Sequence, residues 1–215
     1  MNSLDHLLIL SAASVPVIWM LGNTRPAGAN AAVLYAAQLL GLLLVSGLGY
    51  GSVQVVESSF SLRVLDFDLH WRLDALSWFF AVITAAAAVL SSWFSVGQWS
   101  DSYRSSGGNL RWFHTALALN VFGMLVLLAS GDLLTLFIGW EIVSWASYLL
   151  MAQGGTDARR YALRYITYAL AGAMAVLGGL AVVYACLLYT SPSPRDRSAY
   201  LVCRLLLEKG GGGGG

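Results

Sequence analysis

The sequence predicts an all-α fold, a polytopic transmembrane helical bundle of about six helices. Three observations carry this. The chain is 58% hydrophobic and only 11% charged, with a mean hydropathy of +0.68, whereas soluble domains run near 25% charged. Several apolar runs reach the roughly 20 residues that a spanning helix needs. Two of those runs are separated by little more than Ser130, Gly131 and Asp132, a link short enough to force an antiparallel helical hairpin. The solvent of such a chain is the lipid bilayer. Its net charge of +1 comes with no basic patch or tail, so nucleic-acid binding has no support.

The first predicted helix covers residues 4–21 and tolerates Pro16, as membrane helices do. The second covers 31–50, and the third, rich in Ala, Trp and Phe, covers 73–94. Between them, the segment from Ser59 to Trp71 alternates polar and apolar residues with the period of a strand, which predicts a short extramembrane hairpin. Asp66, Asp68, His70 and Asp74 in and beside it read as a solvated strand face and not as a metal site. The fourth helix covers 112–130 and the fifth 132–153, with Asp132 placed to cap the fifth by accepting its free N–H groups. The sixth covers 161–185, where Gly172, Gly178 and Gly179 predict close helix packing.

Orientation follows the arginines. Arg63 and Arg72 fall on one side, and Arg25, Arg104, Arg111, Arg159, Arg160 and Arg164 on the other. The richer side is predicted to be cytoplasmic, which puts the N-terminus outside in a multi-pass protein of the cell inner membrane. Trp71, Trp78, Trp93, Trp99 and Trp112 lie near predicted helix ends, as interfacial anchors do.

One residue stands out chemically. Glu141 lies near the middle of the fifth apolar run, where a charged side chain costs roughly 2.5–3.5 kcal/mol to insert. About nine residues into a helix, it is about 14 Å deep at 1.5 Å per residue, near the midplane of the hydrocarbon core. A carboxyl group at that depth is suited to taking up and releasing a proton. Helical spacing puts Ser144 and Tyr148 on its face, towards the cytoplasmic end, where they extend a polar path. Counting back through the hairpin puts Asn120 at the same depth, so Asn120 is expected beside Glu141. His114, a turn or two lower, has the side chain that titrates nearest neutral pH. Arg164 sits about a turn inside the surface, able to snorkel. No cationic partner for Glu141 is evident in residues 1–185. The alternative is a structural carboxylate in a membrane scaffold.

The main body holds no motif for a nucleotide, dinucleotide or hydrolytic site, and no cofactor ligands are expected. Both cysteines, Cys186 and Cys203, and the one lysine, Lys209, fall in the C-terminal stretch. There, Cys186-Leu-Leu-Tyr-Thr-Ser-Pro-Ser-Pro-Arg-Asp196 back-translates to what looks like a transposase sequencing adapter, and Leu201 to Lys209 to its outer primer site. Residues 186–215 are therefore read as a non-native, disordered tail and set aside from the fold.

The stretch from Trp112 to Met151 resembles the antiporter-like, proton-conducting membrane subunits. It contains Gly131-Asp132-Leu-Leu-Thr-Leu-Phe-Ile-Gly-Trp-Glu141 and Ser147-Tyr-Leu-Leu150. Such subunits occur in respiratory complex I (NADH-quinone oxidoreductase), membrane-bound hydrogenases and multi-subunit sodium/proton antiporters. Arg72-Leu-Asp-Ala-Leu-Ser77 looks like that family's Leu-Asp-Gly-Leu-Ser. The resemblance implies a fold of about fourteen helices built from inverted repeats, of which this chain holds the N-terminal part. It implies that Glu141 is the glutamate that pairs with a lysine on the seventh helix and gates proton movement. Arg164 falls where several members place a lysine. Leu170 and Ala173 stand where the large complex I subunit carries Arg and Asp, which points towards the other paralogues. The implied function is proton translocation in a redox-driven pump whose redox centres and other membrane subunits lie in other chains. A cation/proton antiporter subunit is the alternative.

Overall fold

A computed structural model describes residues 3–22, 26–47, 55–59, 61–64 and 67–189. Six long helices are present among them: α1 (Ser3–Leu21), α2 (Pro26–Gly47), α3 (Ala75–Phe94), α5 (Leu110–Leu128), α6 (Leu133–Met151) and α7 (Thr156–Tyr189), with a short α4 (Gln98–Ser105) between α3 and α5. All but α2 and α4 are long and apolar enough to cross a membrane, and in α2 the apolar stretch is Gly28–Leu44. The chain divides into two units at Ala173/Met174; the first contains α1 to α6 and the first half of α7.

α5 is the centre of the first unit, packed against α1, α2, α3 and α6, while α2 lies against α1 and α3. The α5–α6 hairpin is tight because two glycines remove the side chains that would hold it apart. A Cβ at Gly139 would come within 2.6 Å of the Leu127 backbone nitrogen, and one at Gly123 within 2.7 Å of Ile142 Cγ2. Small-residue contacts of this kind let membrane helices gain dispersion energy where no hydrophobic effect draws them together. On α3 the buried face is Ala81, Ala85 and Ala88.

The helix starts follow from local chemistry. Asp74 caps α3 by accepting the Ser77 N–H at 2.8 Å, and Asp132 caps α6 by accepting the Thr135 N–H at 2.7 Å. Two short antiparallel ribbons form the segment before α3. β1 (Val56–Glu57) pairs with β4 (Arg72–Leu73), and β2 (Leu62–Val64) with β3 (Phe67–Leu69). The period-two pattern is thus a hairpin, with Asp68 opposite Arg63; Asp66 lies outside the described residues.

Several sequence expectations are corrected. The second helix begins at Pro26, not 31, because proline with its fixed φ and missing N–H suits a first helical position. The sixth predicted helix, α7, begins at Thr156 and continues through Tyr189. Cys186 to Tyr189 are therefore helical and not disordered, since Cys-Leu-Leu-Tyr carries no helix breaker; residues 190–215 lie outside the described residues. Among the described residues, a Cβ at Gly172, Gly178 or Gly179 of α7 would meet nothing within 4 Å. α4 was not foreseen, being too short to register as a span. Its Trp99 and Tyr103, one turn apart, stack at 5.0 Å, and Trp99 also lies 4.9 Å from Phe113. Trp71 is not an interfacial anchor: it is buried and bridges to Ser130.

Candidate functional site

α6 carries the candidate site. Gly139, Ile142 and Val143 face α5, and Glu141 lies about 100° round the helix from Ile142. Glu141 is half-buried, and among the described residues its carboxylate has no hydrogen-bond or ion-pair partner. One turn further, Ser144 is buried, and Tyr148 beyond it is half-buried with its ring 6.1 Å from that of Trp145. The side of α6 that bears Glu141, Ser144 and Tyr148 is therefore a polar strip within an apolar helix.

Asn120 is not beside Glu141. Its Nδ2 donates to Ser147 Oγ at 3.3 Å, six residues along α6 and so about 9 Å further along the axis. The register explains the difference. Gly139 meets Leu127 and Gly123 meets Val143, which sets Glu141 level with Leu125. Counting symmetrically from Gly131 overlooks that the first turn of α6 projects beyond the end of α5. What holds it there is the strand segment: the Arg72 N–H donates to the Ala129 carbonyl at 2.7 Å and the Gly131 N–H to the His70 carbonyl at 2.8 Å. The His70 N–H in turn donates to Asp132 Oδ2 at 2.9 Å. Burial works to raise the Asp132 carboxyl, but donors from His70, Thr135 and Leu134 prevail and hold it below the usual carboxylate range.

His114 is also turned away from this strip. It is fully buried, with Nε2 3.4 Å from Oγ of Ser95, the residue that caps the end of α3, and its ring against the start of α2 at Gly28. Arg164 is exposed on α7 and has no ion-pair partner among the described residues. The structure therefore joins Ser144 and Tyr148 to Glu141 along one helix, pairs Asn120 with Ser147, and leaves His114 and Arg164 elsewhere. Sequence reasoning missed Ser147 as the Asn120 partner. It also missed the tie from Tyr103 Oη to Gln153 Oε1 at 3.2 Å, which fixes α4 to the end of α6. Burial raises the Tyr103 hydroxyl above its ordinary value.

No family model matches the chain. It is 28% identical over 167 residues to F(420)H(2) dehydrogenase subunit N of Methanosarcina mazei, covering 77% of this chain and 30% of that protein. It is 34% identical over 131 residues to NADH-ubiquinone oxidoreductase chain 5 of Papio hamadryas, covering 60% of this chain and 21% of that one. Its fold matches a chain of the membrane-bound sulfane sulfur reductase, an archaeal respiratory membrane complex, with a TM-score of 0.70 and 25% identity over 96% of this chain and 31% of that chain.

Its homologues are antiporter-like membrane subunits. A chain of the Mrp complex from Dietzia sp. DQ12-45-1b shares the fold, with a TM-score of 0.62 and 20% identity over 82% of this chain and 18% of that chain. The antiporter-like relatives are parts of membrane complexes, and the apolar helices here make this chain a multi-pass membrane protein as well. The chain spans about a third or less of the length of the antiporter-like proteins it matches.

Proposed function

We propose that the intact protein translocates protons across the membrane as an antiporter-like subunit of a redox-driven respiratory complex. The observation that carries this reading is Glu141: a carboxylate in the middle of an apolar helix, unpartnered among the described residues and flanked by Ser144 and Tyr148. Intramembrane carboxylates mark ion and proton pathways. In this reading Glu141 binds and releases a proton as a neighbouring cation moves, and Ser144 and Tyr148 extend its path along α6. The cation comes from a helix outside the described residues. Arg164 lines the cytoplasmic half-channel, and Asn120 holds α5 against α6 through Ser147; His114, turned towards Ser95 and Gly28, takes no part in the Glu141 path. Redox chemistry belongs to partner subunits. The protein sits in the inner membrane with its N-terminus outside.

The test is Glu141→Gln in the full-length subunit within its complex, with proton uptake followed in sealed membrane vesicles. Loss of proton transport with the complex still assembled is the expected result. Unchanged transport would leave Glu141 as a packing carboxylate in a scaffold. The second reading, a cation/proton antiporter subunit, is distinguished in the same vesicles, where transport would be driven by a sodium gradient and not by a reductant.

A further inference from the structure

α4 lies across one end of the bundle. Trp99, at its start, has its ring 6.3 Å from Phe94 at the end of α3 and 4.9 Å from Phe113 at the start of α5. Tyr103, one turn on, is 6.1 Å from Phe113 and bonds Gln153, just past the end of α6. A helix that touches three helix ends in turn runs along the membrane edge and not through it. Its aromatic residues face the bundle, while Gln98, Asp101, Ser102, Arg104 and Ser105 are exposed. That is the build of an interfacial helix, whose polar side sits among lipid headgroups.

Below Trp99 a cavity of about 470 Å³ opens between the last turns of α3 and the first turn of α5, lined by Leu90, Ser91, Phe94, Ser95, Trp99 and Phe113. Apolar and aromatic walls with a few polar groups are the usual lining of a small-molecule site. Protein does not close it: Leu90 is 70% and Phe94 69% exposed. Both lie on α3, which is long and apolar enough to cross the membrane. The cavity is therefore continuous with the lipid-facing surface.

The polar groups narrow the occupant. The Ser95 hydroxyl is taken up by the Ser92 carbonyl at 2.7 Å. The Ser91 hydroxyl and the Trp99 indole N–H make no hydrogen bond among the described residues. Both can donate, and just inside the membrane edge the acceptor that lipid supplies is a glycerol ester carbonyl. Arg104, exposed in the last turn of α4, has no ion-pair partner among the described residues, whereas Asp101 on the same helix is engaged. A free guanidinium at headgroup level complements a phosphate. Hydrocarbon, ester and phosphate, in that order from the core to the edge, are the parts of a phospholipid. A partner helix would match the apolar walls, but its backbone carbonyls are already bonded within it and would leave Ser91 and Trp99 unanswered.

We propose that the cavity beneath α4 binds one phospholipid of the bilayer, with an acyl chain against Leu90, Phe94 and Phe113, its ester at Ser91 and Trp99, and its phosphate at Arg104. The site is remote from α6 at Glu141 and does not depend on the proton reading of that residue.

The experiment uses phosphatidylglycerol carrying a diazirine in the upper part of one acyl chain, incorporated into membranes that hold the full-length protein in its complex. Samples are irradiated in the membrane, and again after detergent extraction and washing, and the adducts are mapped by mass spectrometry. Leu76, Phe79 and Phe80, exposed at the other end of α3, report lipid that merely surrounds the protein. In the membrane both ends of α3 should be labelled. After washing, adducts should persist at Leu90, Phe94 and Phe113 and drop severalfold at Leu76, Phe79 and Phe80. Ser91→Trp, which fills the cavity from an exposed position, should abolish the persistent adducts. Ser91→Leu, the gentler change, should lower them. Adducts that wash away alike from both ends would overturn the site, leaving surrounding lipid only. Persistent labelling that both Ser91 variants leave unchanged would also overturn it. So would an absence of labelling at Phe94 and Phe113 in the membrane itself, which would mean that a protein helix covers the cavity.

Discussion

Asn120 on α5 donates a hydrogen bond to Ser147 on α6 at 3.3 Å, and this pair, not Asn120 with Glu141, is the polar tie across the hairpin. Interhelical hydrogen bonds within membranes average about 0.6 kcal/mol. Asn120→Leu should therefore lower stability by about that amount, read as a small fall in the thermal midpoint of the detergent-solubilised protein. Because Glu141 is not the partner, the same variant should leave the proton affinity of Glu141 unchanged. A shift of the Glu141 carboxyl band in infrared difference spectra of Asn120→Leu would contradict this placement.

Gly139→Ala should cost more than the Asn120 change. Its Cβ would fall 2.6 Å from the Leu127 backbone nitrogen, and a backbone atom cannot rotate out of the way. Overpacking of this kind costs about 1–3 kcal/mol. A thermal midpoint equal to that of the wild type would show that α5 and α6 do not approach this closely.

Asp132→Asn gives a pH-dependent prediction. Donors hold the folded Asp132 carboxyl below its ordinary value. A carboxyl depressed on folding contributes its full stabilisation above the unfolded pKa, near 3.9, and loses it as the pH falls through the lower folded value. Asn keeps an oxygen that can accept the Thr135 N–H, so this variant removes only the part of the stabilisation that depends on the charge. The wild type should exceed Asp132→Asn in stability at neutral pH, and the gap should close as the solution is acidified below the ordinary carboxylate range. A gap that is constant with pH would remove the charge from the explanation.

Tyr148→Phe deletes one hydroxyl from the strip that bears Glu141. If the path runs along α6, proton transport should slow severalfold but persist, since water can replace a single hydroxyl within a chain. Glu141→Gln should abolish it. Equal effects of the two variants would not fit an ordered path with Glu141 as its proton-binding group.

The helices were legible in the sequence because lipid imposes one demand: an apolar run long enough to cross, with every backbone group bonded internally. Asp132 was legible as a cap because a carboxylate after a three-residue link has few other tasks. Glu141 stood out because its surroundings are apolar. What could not be read was set by contacts between distant segments. The level of Asn120 depends on how far the first turn of α6 overshoots α5, and that is fixed by His70 and Arg72, about sixty residues earlier in the chain. His114 could be named as a titratable group, but nothing local says that it turns towards Ser95 and Gly28.

The clasp of His70, Trp71 and Arg72 on Ala129, Gly131 and Asp132 has a consequence for biosynthesis. The ribosome makes the strand segment well before the α5–α6 turn that it grips. The segment must already be waiting on the correct side of the membrane when that turn arrives. A nascent chain that places α3 the wrong way round leaves Asp132 without its His70 donor and the turn without its brace. The clasp can close only when the strand segment and the α5–α6 turn have been threaded to the same side of the membrane.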